Sequence, residues 1–254
     1  MEVKNEERFA GKAGIYKQFR PTYPKDLIDY LYFHTGFNKN SIIADIGSGT
    51  GIFSRLLLEQ GNQVYCVEPN ENMRQTAEFD LSGFSNYISV NASAENTTIE
   101  KASIDFITVA QAFHWFNREA FKSECKRILK DNGKIVIIIN NRDNEHEVVN
   151  KDYIIRAKYA VGDKKGLGRG FTDNLVNGFF KDNIFETQKF ENDLLFDEES
   201  FIGRNLSTSY APNEKTDPEK YHGFVRELSE FFDEYNSNGI LTYPHFTKIY
   251  IGRV

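Results

Sequence analysis

Residues 45–51 read Asp-Ile-Gly-Ser-Gly-Thr-Gly, placing glycines at 47, 49 and 51 directly after the apolar run Ile42-Ile43-Ala44. A glycine turn between a strand and a helix lets backbone come close to a ligand. Gly47 and Gly49 lack the Cβ atoms that would block the approach, and they tolerate positive φ. The N–H groups that open the following helix carry partial positive charge, so the turn can hold an anionic or polar group. Ser48 and Thr50 lie within it. A plain tight turn would explain a lone glycine triplet about as well. Glu68 follows Gly47 by 68 − 47 = 21 residues and ends a second apolar run. An acid about 20 residues on accepts hydrogen bonds from two ribose hydroxyls; a solvated surface glutamate is the plainer alternative. The spacing is not the Gly-x-Gly-x-x-Gly of dinucleotide turns, because Ile52 stands where the third glycine would fall. Asp45 would repel a diphosphate, but it can organise a loop around a cationic, zwitterionic ligand.

These residues need strands and helices to present them. Leu27, Ile28, Leu31 and Tyr32 recur at helical spacing over 24–33, and Pro24 suits a helix start. Strands are expected at 41–46, 63–67, 87–90, 104–110 and 134–140. Helices are expected at 52–60, ending at Gly61, and at 70–79 and 118–129, the last closed by the turn Asp131-Asn132-Gly133. Short apolar strands alternating with helices predict a parallel sheet covered on both faces. After 141 the pattern changes. A helix is expected at 151–160, a glycine-rich loop at 164–171, a strand at 185–196, a helix from 201, a helix at 218–235 with Phe224, Leu228 and Phe231 on one face, and a strand at 240–252. The fold class is therefore α/β: a doubly wound, mostly parallel seven-stranded sheet with an antiparallel C-terminal edge pair and a partly helical lid insertion.

Bulk properties exclude several roles. The net charge is −6 and no basic block stands out, so nucleic-acid binding is not expected. No apolar stretch reaches the roughly 18 residues of a membrane span, and residues 1–14 lack an apolar signal core. Cys66 and Cys125 form no ligand cluster, which suits reduced thiols and a cytoplasmic location. The five histidines form no short-spaced pair, so no metal is expected.

The Asp45–Gly51 stretch resembles motif I of the Rossmann-like S-adenosylmethionine (SAM)-dependent methyltransferases. Later landmarks agree in order and spacing. Glu68-Pro69 matches the ribose-binding acid, and Met73 after it the residue packed on adenine. Asn91-Ala92-Ser93-Ala94-Glu95 resembles the loop that reads the adenine edge. Many relatives carry Asp where Ser93 stands, which leaves that contact to Ser93 or Glu95. Asp105-Phe106-Ile107-Thr108-Val109-Ala110 followed by Gln111-Ala112-Phe113-His114-Trp115-Phe116 resembles motif IV, with Ala110 and Gln111 lining the cofactor pocket. Residues 16–24 resemble the N-terminal cap of a branch similar to trans-aconitate methyltransferase, and there Tyr16 and Arg20 are expected to reach the methionine carboxylate. The resemblance implies SAM as cofactor and S-adenosylhomocysteine as product. It divides the chain into a SAM-binding core with its cap at 1–140, lid segments at 141–183 and 201–239, and strands completing the core sheet at 184–200 and 240–254.

Methyl transfer from a sulfonium is an in-line displacement in which the protein mainly supplies proximity and orientation, terms that contribute about 7–11 kcal/mol in well-oriented cases. A general base is needed only for a protonated acceptor. His114 is the candidate base; packing beside Trp115 and Phe116, or capping the next helix, is its alternative. The acceptor is expected to be a small molecule carrying a carboxylate, hydroxyl or amine. Tyr153, Tyr159, Phe171 and Tyr210 are candidate lining residues, with ordinary helical core as the competing role. Gly166, Gly168 and Gly170 are candidate hinges of a lid. A nicotinamide oxidoreductase is disfavoured by the glycine spacing. A SAM-binding sensor or partner subunit without catalysis is the remaining alternative.

Overall fold

The computed structural model describes residues 22–162, 167 and 171–254. Tyr16, Arg20, Gly166, Gly168 and Gly170 lie outside the described residues. The described chain forms two compact units. The first takes the residues up to Asn140 with Thr172–Phe190 and Thr247–Val254; the second takes Asn141–Phe171 and Glu191–Phe246.

The first unit is built on the elements α1 (Lys25–His34), β1 (Ile42–Ile46), α2 (Ile52–Glu59), β2 (Gln63–Val67), α3 (Glu71–Asp80), β3 (Tyr87–Val90), β4 (Ile104–Ala110), α4 (Arg118–Ile128) and β5 (Leu129–Arg142). With β6 (Phe185–Glu191) and β9 (His245–Gly252) these strands form one seven-stranded sheet in the order β3-β2-β1-β4-β5-β9-β6. The β1–β2, β1–β4, β2–β3 and β4–β5 pairs are parallel. The sheet is mostly parallel, with antiparallel strands at the β5-β9-β6 edge. From β1 the chain moves to one side for β2 and β3, then returns to the other for β4 and β5. Ligands of doubly wound sheets bind at such a reversal, outside the carboxyl ends of the strands. The loops after β1, β2, β3 and β4 carry the residues singled out above.

The central strands are apolar because both their faces are covered. Ile43, Ile46, Ile107, Val109 and the run Ile135–Ile139 are wholly buried. Leu27, Leu31, Phe53 and Leu57 close one core, where the Phe37 ring stacks on Phe106 at 3.9 Å. Each such side chain contributes about 1.5–3 kcal/mol of burial. A second group of rings gathers Phe113, Phe121 and Phe179, with Phe113 edge-on to Phe179 at 4.7 Å.

Several boundaries differ from expectation. The Asp131-Asn132-Gly133 turn lies inside the β5 run. Ile104 pairs with Leu129 and Phe106 with Lys134, so β5 carries (134 − 129) − (106 − 104) = 3 extra residues at that point. A Cβ on Gly133 would approach Leu129 Cδ2 to 2.7 Å, which is why the turn holds glycine there. The expected strand 240–252 is broken at Pro244 into β8 (Leu241–Tyr243) and β9, since proline has no N–H to give a ladder. The expected strand 185–196 breaks opposite it into β6 and β7 (Leu194–Phe196). There the His245 N–H donates to Asp193 Oδ1 at 3.0 Å. β7 and β8 pair with each other, antiparallel, as a separate two-stranded sheet.

The second unit packs that pair with α5 (Glu147–Tyr159), α6 (Glu198–Leu206) and α7 (Pro218–Tyr235). α5 starts earlier than expected because His146 Nδ1 accepts the Val148 N–H, and α6 because Asp197 Oδ1 accepts that of Ser200. Phe224, Leu228 and Phe231 of α7 are buried as the periodicity predicts, and Phe231 stacks on Phe201 at 5.4 Å. Tyr159 serves this core, and Tyr210 packs in a smaller cluster with Ala160 and Leu167. Tyr159 lies 5.5 Å from the Phe224 ring, and the buried Tyr210 hydroxyl accepts from Arg156 Nη1 at 3.1 Å. Among the described residues no helix is long and apolar enough to cross a membrane, and no group of His, Cys, Asp and Glu is arranged to hold a metal ion.

Candidate functional site

The three glycines after β1 have three different reasons. A Cβ on Gly47 (φ +71°) would lie 2.5 Å from Ala112 Cβ and 3.1 Å from the Phe116 ring, so this glycine admits the segment after β4. A Cβ on Gly51 (φ +80°) would lie 2.6 Å from Leu81 Cδ1, so this one admits the end of α3 against the start of α2. Gly49 (φ +57°) is open: its nearest neighbour would be Met73 Sδ at 3.9 Å. Closeness to a ligand therefore belongs to Gly49, while Gly47 and Gly51 are set by protein packing. The Gly47 and Ser48 N–H groups both donate to the Val67 carbonyl, at 2.8 and 3.1 Å. They tie the turn to the end of β2 rather than pointing outward. Thr50 is buried within the turn. Ser48 Oγ is buried and has no hydrogen-bond partner among the described residues.

Asp45 ends β1 with 1% of its surface exposed. Its Oδ2 accepts from Ser54 Oγ at 2.5 Å and its Oδ1 from Thr108 Oγ1 at 2.8 Å. Burial pushes its pKa up to about 6 against the two hydroxyl hydrogen bonds, and the Glu68 charge adds to the rise. Asp45 thus ties β1 to α2 and β4, and its role at the site is to order the turn from inside.

Glu68 is the hinge of the arrangement. Its Oε2 accepts the Gly49 N–H at 2.9 Å and its Oε1 the Asn70 N–H at 2.8 Å. A carboxylate offers about four lone-pair positions, so bracing the turn and accepting from ribose hydroxyls are compatible. After Pro69, Asn70 Oδ1 caps α3 by accepting the Met73 N–H at 3.0 Å. The cap turns the buried Met73 thioether toward Gly49. Gly49, Glu68 and Met73, spread over 25 residues of sequence, meet in one place.

The loop after β3, residues 91–103, is tied at several points. Ser93 and Asn96 bridge, and Ala94 is buried. Glu95 Oε1 accepts the Asn117 N–H at 2.9 Å, just before α4. The Ser93 hydroxyl has no hydrogen bond within the described structure, which makes it the readier of the two adenine candidates. Farther along, Glu124 accepts both the N–H and the hydroxyl of Thr97, at 2.8 and 2.6 Å, and pairs with Arg127 at 2.7 Å. Burial would raise the Glu124 pKa, but Arg127 and Thr97 outweigh it and hold it down to about 2.

After β4 and Ala110, Gln111 adopts φ +59°, a left-handed conformation uncommon for a non-glycine residue. Its N–H donates to the Ile138 carbonyl at 2.9 Å and its side-chain amide to that of Asn140 at 3.2 Å. Such a backbone is strained by about 1–3 kcal/mol and gathers at functional sites. The short helical turn Phe113–Trp115 follows. Phe113 is core, and the His114 ring lies 4.7 Å from that of Trp115. His114 is thus placed just past the carboxyl end of β4, beside Trp115.

Sequence reasoning missed Ser54, Thr108 and Ala112. The first two had a signal: a buried aspartate must find donors, and these are hydroxyls within otherwise apolar stretches. Ala112 had none, because its importance depends on a 2.5 Å approach to a glycine 65 residues earlier.

The strand order, the reversal between β1 and β4 and the Gly49–Glu68–Met73 cluster define a doubly wound nucleoside-binding domain. Residues 44–137 match the methyltransferase domain family. A protein of Dictyostelium discoideum named as a methyltransferase is 34% identical over 181 residues, which cover 67% of this chain and 66% of that protein. The solved structure of a type II methyltransferase from Anaeromyxobacter dehalogenans has a TM-score of 0.66 at 21% identity, covering 92% of this chain and 98% of that one. A phosphoethanolamine N-methyltransferase of Haemonchus contortus, solved with S-adenosylhomocysteine, has a TM-score of 0.53 at 15% identity, over 98% of this chain and 59% of that one. These two structures share the fold. The chain spans 53–66% of the length of three curated relatives. It carries, at 44–137, a methyltransferase domain, whose cofactor is SAM.

The residues present fit that group. Glu68 would accept from the ribose, Met73 would face the adenine, the Ser93 hydroxyl would meet the adenine edge, and the orphaned Ser48 Oγ would find a polar partner in the amino-acid end. Bound SAM supplies an activated methyl group on a sulfonium.

Proposed function

We propose that this protein is a SAM-dependent methyltransferase that transfers a methyl group to a small-molecule acceptor, a carboxylate, hydroxyl or amine, by in-line displacement. The observation that carries this reading is the meeting of Gly49, Glu68 and Met73 at the carboxyl ends of β1 and β2. The protein's own contribution is orientation: Asp45 and Glu68 fix the turn, and strained Gln111 fixes the loop after β4. The cofactor contacts proposed are Asp45 through the turn it orders, Gly47, Ser48, Gly49, Thr50, Glu68, Pro69, Met73, Ser93, Ala94, Glu95, Ala110 and Gln111, with Tyr16 and Arg20 from the cap. Residues 141–183 and 201–239 are proposed to cover the acceptor. His114 is proposed as a base only for an acceptor protonated at working pH. Incubation with methyl-labelled SAM and a panel of small carboxylates, phenols and amines tests the reading. Label in an acceptor, with S-adenosylhomocysteine formed in equal amount, supports it. Tight SAM binding with no transfer to any acceptor class would favour a sensor or partner subunit.

A further inference from the structure

Two amides meet at the carboxyl ends of the neighbouring strands β4 and β5. Gln111 stands directly after β4 and Asn140 near the end of β5; both belong to the first unit, and both side chains are half-buried. Each amide is bonded at one end. Gln111 Nε2 donates to the Asn140 main-chain carbonyl at 3.2 Å. A carbonyl can only accept, so the orientation of the Gln111 amide is set and its Oε1 is the unbonded end. Thr247 Oγ1, wholly buried on β9 at the other side of β5, donates to Asn140 Oδ1 at 2.6 Å. That bond leaves Asn140 Nδ2 as the unbonded end. Neither Gln111 Oε1 nor Asn140 Nδ2 has a hydrogen-bond partner among the described residues.

The chain keeps this pair at a conformational cost. Gln111 has φ +59°, where a glycine would sit with less strain. Its N–H donates to the Ile138 carbonyl at 2.9 Å, so the side-chain bond to Asn140 extends the β4–β5 ladder past the strand's end. A glycine at 111 would lose that bond and the fixed Oε1 with it. The two unbonded ends are close in structure, since Gln111 is bonded to the main chain of the residue that carries Nδ2. The carboxyl ends of the strands are where a doubly wound sheet receives its ligands. A fixed acceptor beside a fixed donor discriminates by proton count. A hydroxyl gives one hydrogen bond and accepts another, so it satisfies both ends. A carboxylate only accepts and meets Gln111 Oε1 with a lone pair; an ammonium only donates and meets the Asn140 N–H with another. An unmet polar group costs more than a formed hydrogen bond returns.

We propose that Gln111 Oε1 and Asn140 Nδ2 form a subsite for a neutral hydroxyl of a small molecule, the first accepting a hydrogen bond from it and the second donating one to it. Of the three acceptor classes named above, the subsite selects the hydroxyl and rejects the carboxylate and the charged amine. That the hydroxyl belongs to the methyl acceptor rests on the proposed methyltransferase reading; the donor–acceptor pair does not. Gln111 then has two roles, its main chain beside the cofactor and its side chain toward the acceptor.

The test uses the full chain and three probes that share one ring: benzyl alcohol, benzoate and benzylammonium. Each is titrated at pH 7 and followed by saturation-transfer NMR of the probe. Benzyl alcohol is expected to bind at least about fivefold more tightly than either ion. Gln111→Met removes the acceptor and is expected to erase the margin over benzoate. Asn140→Asp keeps an acceptor for Thr247 and replaces the donor by a second acceptor, so benzylammonium is expected to become the tightest of the three. A merely structural role for Asn140 would not invert the order. Thermal melts establish that the variants are folded, and either one suffices. No binding of benzyl alcohol, no preference for it, or an unchanged order in a folded variant overturns the subsite. Competition between benzyl alcohol and S-adenosylhomocysteine would place the probe in the cofactor site and overturn it as well. The predicted order of probes with no binding of S-adenosylhomocysteine would leave the subsite standing and count against the methyltransferase reading.

Discussion

Gly47→Ala is the sharpest perturbation of the turn. The added Cβ would lie 2.5 Å from Ala112 Cβ, against the 3.5–4.0 Å of a comfortable carbon contact, and 3.1 Å from the Phe116 ring. The residue must also keep φ near +71°, which for a non-glycine costs about 1–2 kcal/mol. The overlap adds about 1–3 kcal/mol as overpacking, for a total of about 2–5 kcal/mol. The two parts can be separated. In Gly47→Ala/Ala112→Gly the clash with Ala112 is removed and the backbone strain remains, so about 1–3 kcal/mol should return. Urea unfolding is the assay, read through Trp115, the chain's one tryptophan and part of the displaced segment. A double variant no more stable than the sum of the single effects predicts would refute the claim that Gly47 exists to admit the segment after β4.

Other outcomes follow from buried charge. The Asp45 carboxyl is raised from 3.8 to about 6, so the folded state holds the proton more tightly and stability falls as pH rises through that window. At about 1.4 kcal/mol per unit the fall is about 3 kcal/mol, and Asp45→Asn should flatten it in unfolding measured from pH 4 to 7. Glu124 is lowered to about 2. Its contribution is complete above its ordinary value near 4.5 and lost as pH falls through about 2, so Glu124→Gln should cost about 1–3 kcal/mol at pH 7 and progressively less in acid. Asp152→Asn leaves Arg156 buried without its counter-ion, a loss of about 3–5 kcal/mol, to be seen as faster proteolysis within 141–171 and 191–246.

The core architecture was legible because its strands are short, apolar and separated by capped helices. β2, β3 and β4 fall where the sequence places them. Glu68 was legible through its spacing from Gly47, and Met73 through the resemblance of its segment to the methyltransferase family. The second unit was less so. Pro244 interrupts a run that otherwise reads as one strand, and the capping of α5 by His146 and of α6 by Asp197 lengthens helices whose apolar periodicity starts later. The reasons for Gly47 and Gly51 were hidden for another cause. Both glycines answer to contacts with Ala112 and Leu81, and no local pattern reveals a close approach between distant segments. Tyr159 and Tyr210, attractive as pocket residues because they are aromatic, are held in core and polar contacts that only packing discloses.

The central claim is that Gly49, Glu68 and Met73 form a SAM site. Calorimetric titration with SAM and with S-adenosylhomocysteine, on the wild type and on Glu68→Ala, tests it most directly, with a thermal melt to establish that the variant is folded. The account predicts that both ligands bind the wild type and bind the folded variant at least about tenfold more weakly, about 1.4 kcal/mol. Failure of the wild type to bind either ligand, or equal affinity in a folded Glu68→Ala, would contradict it.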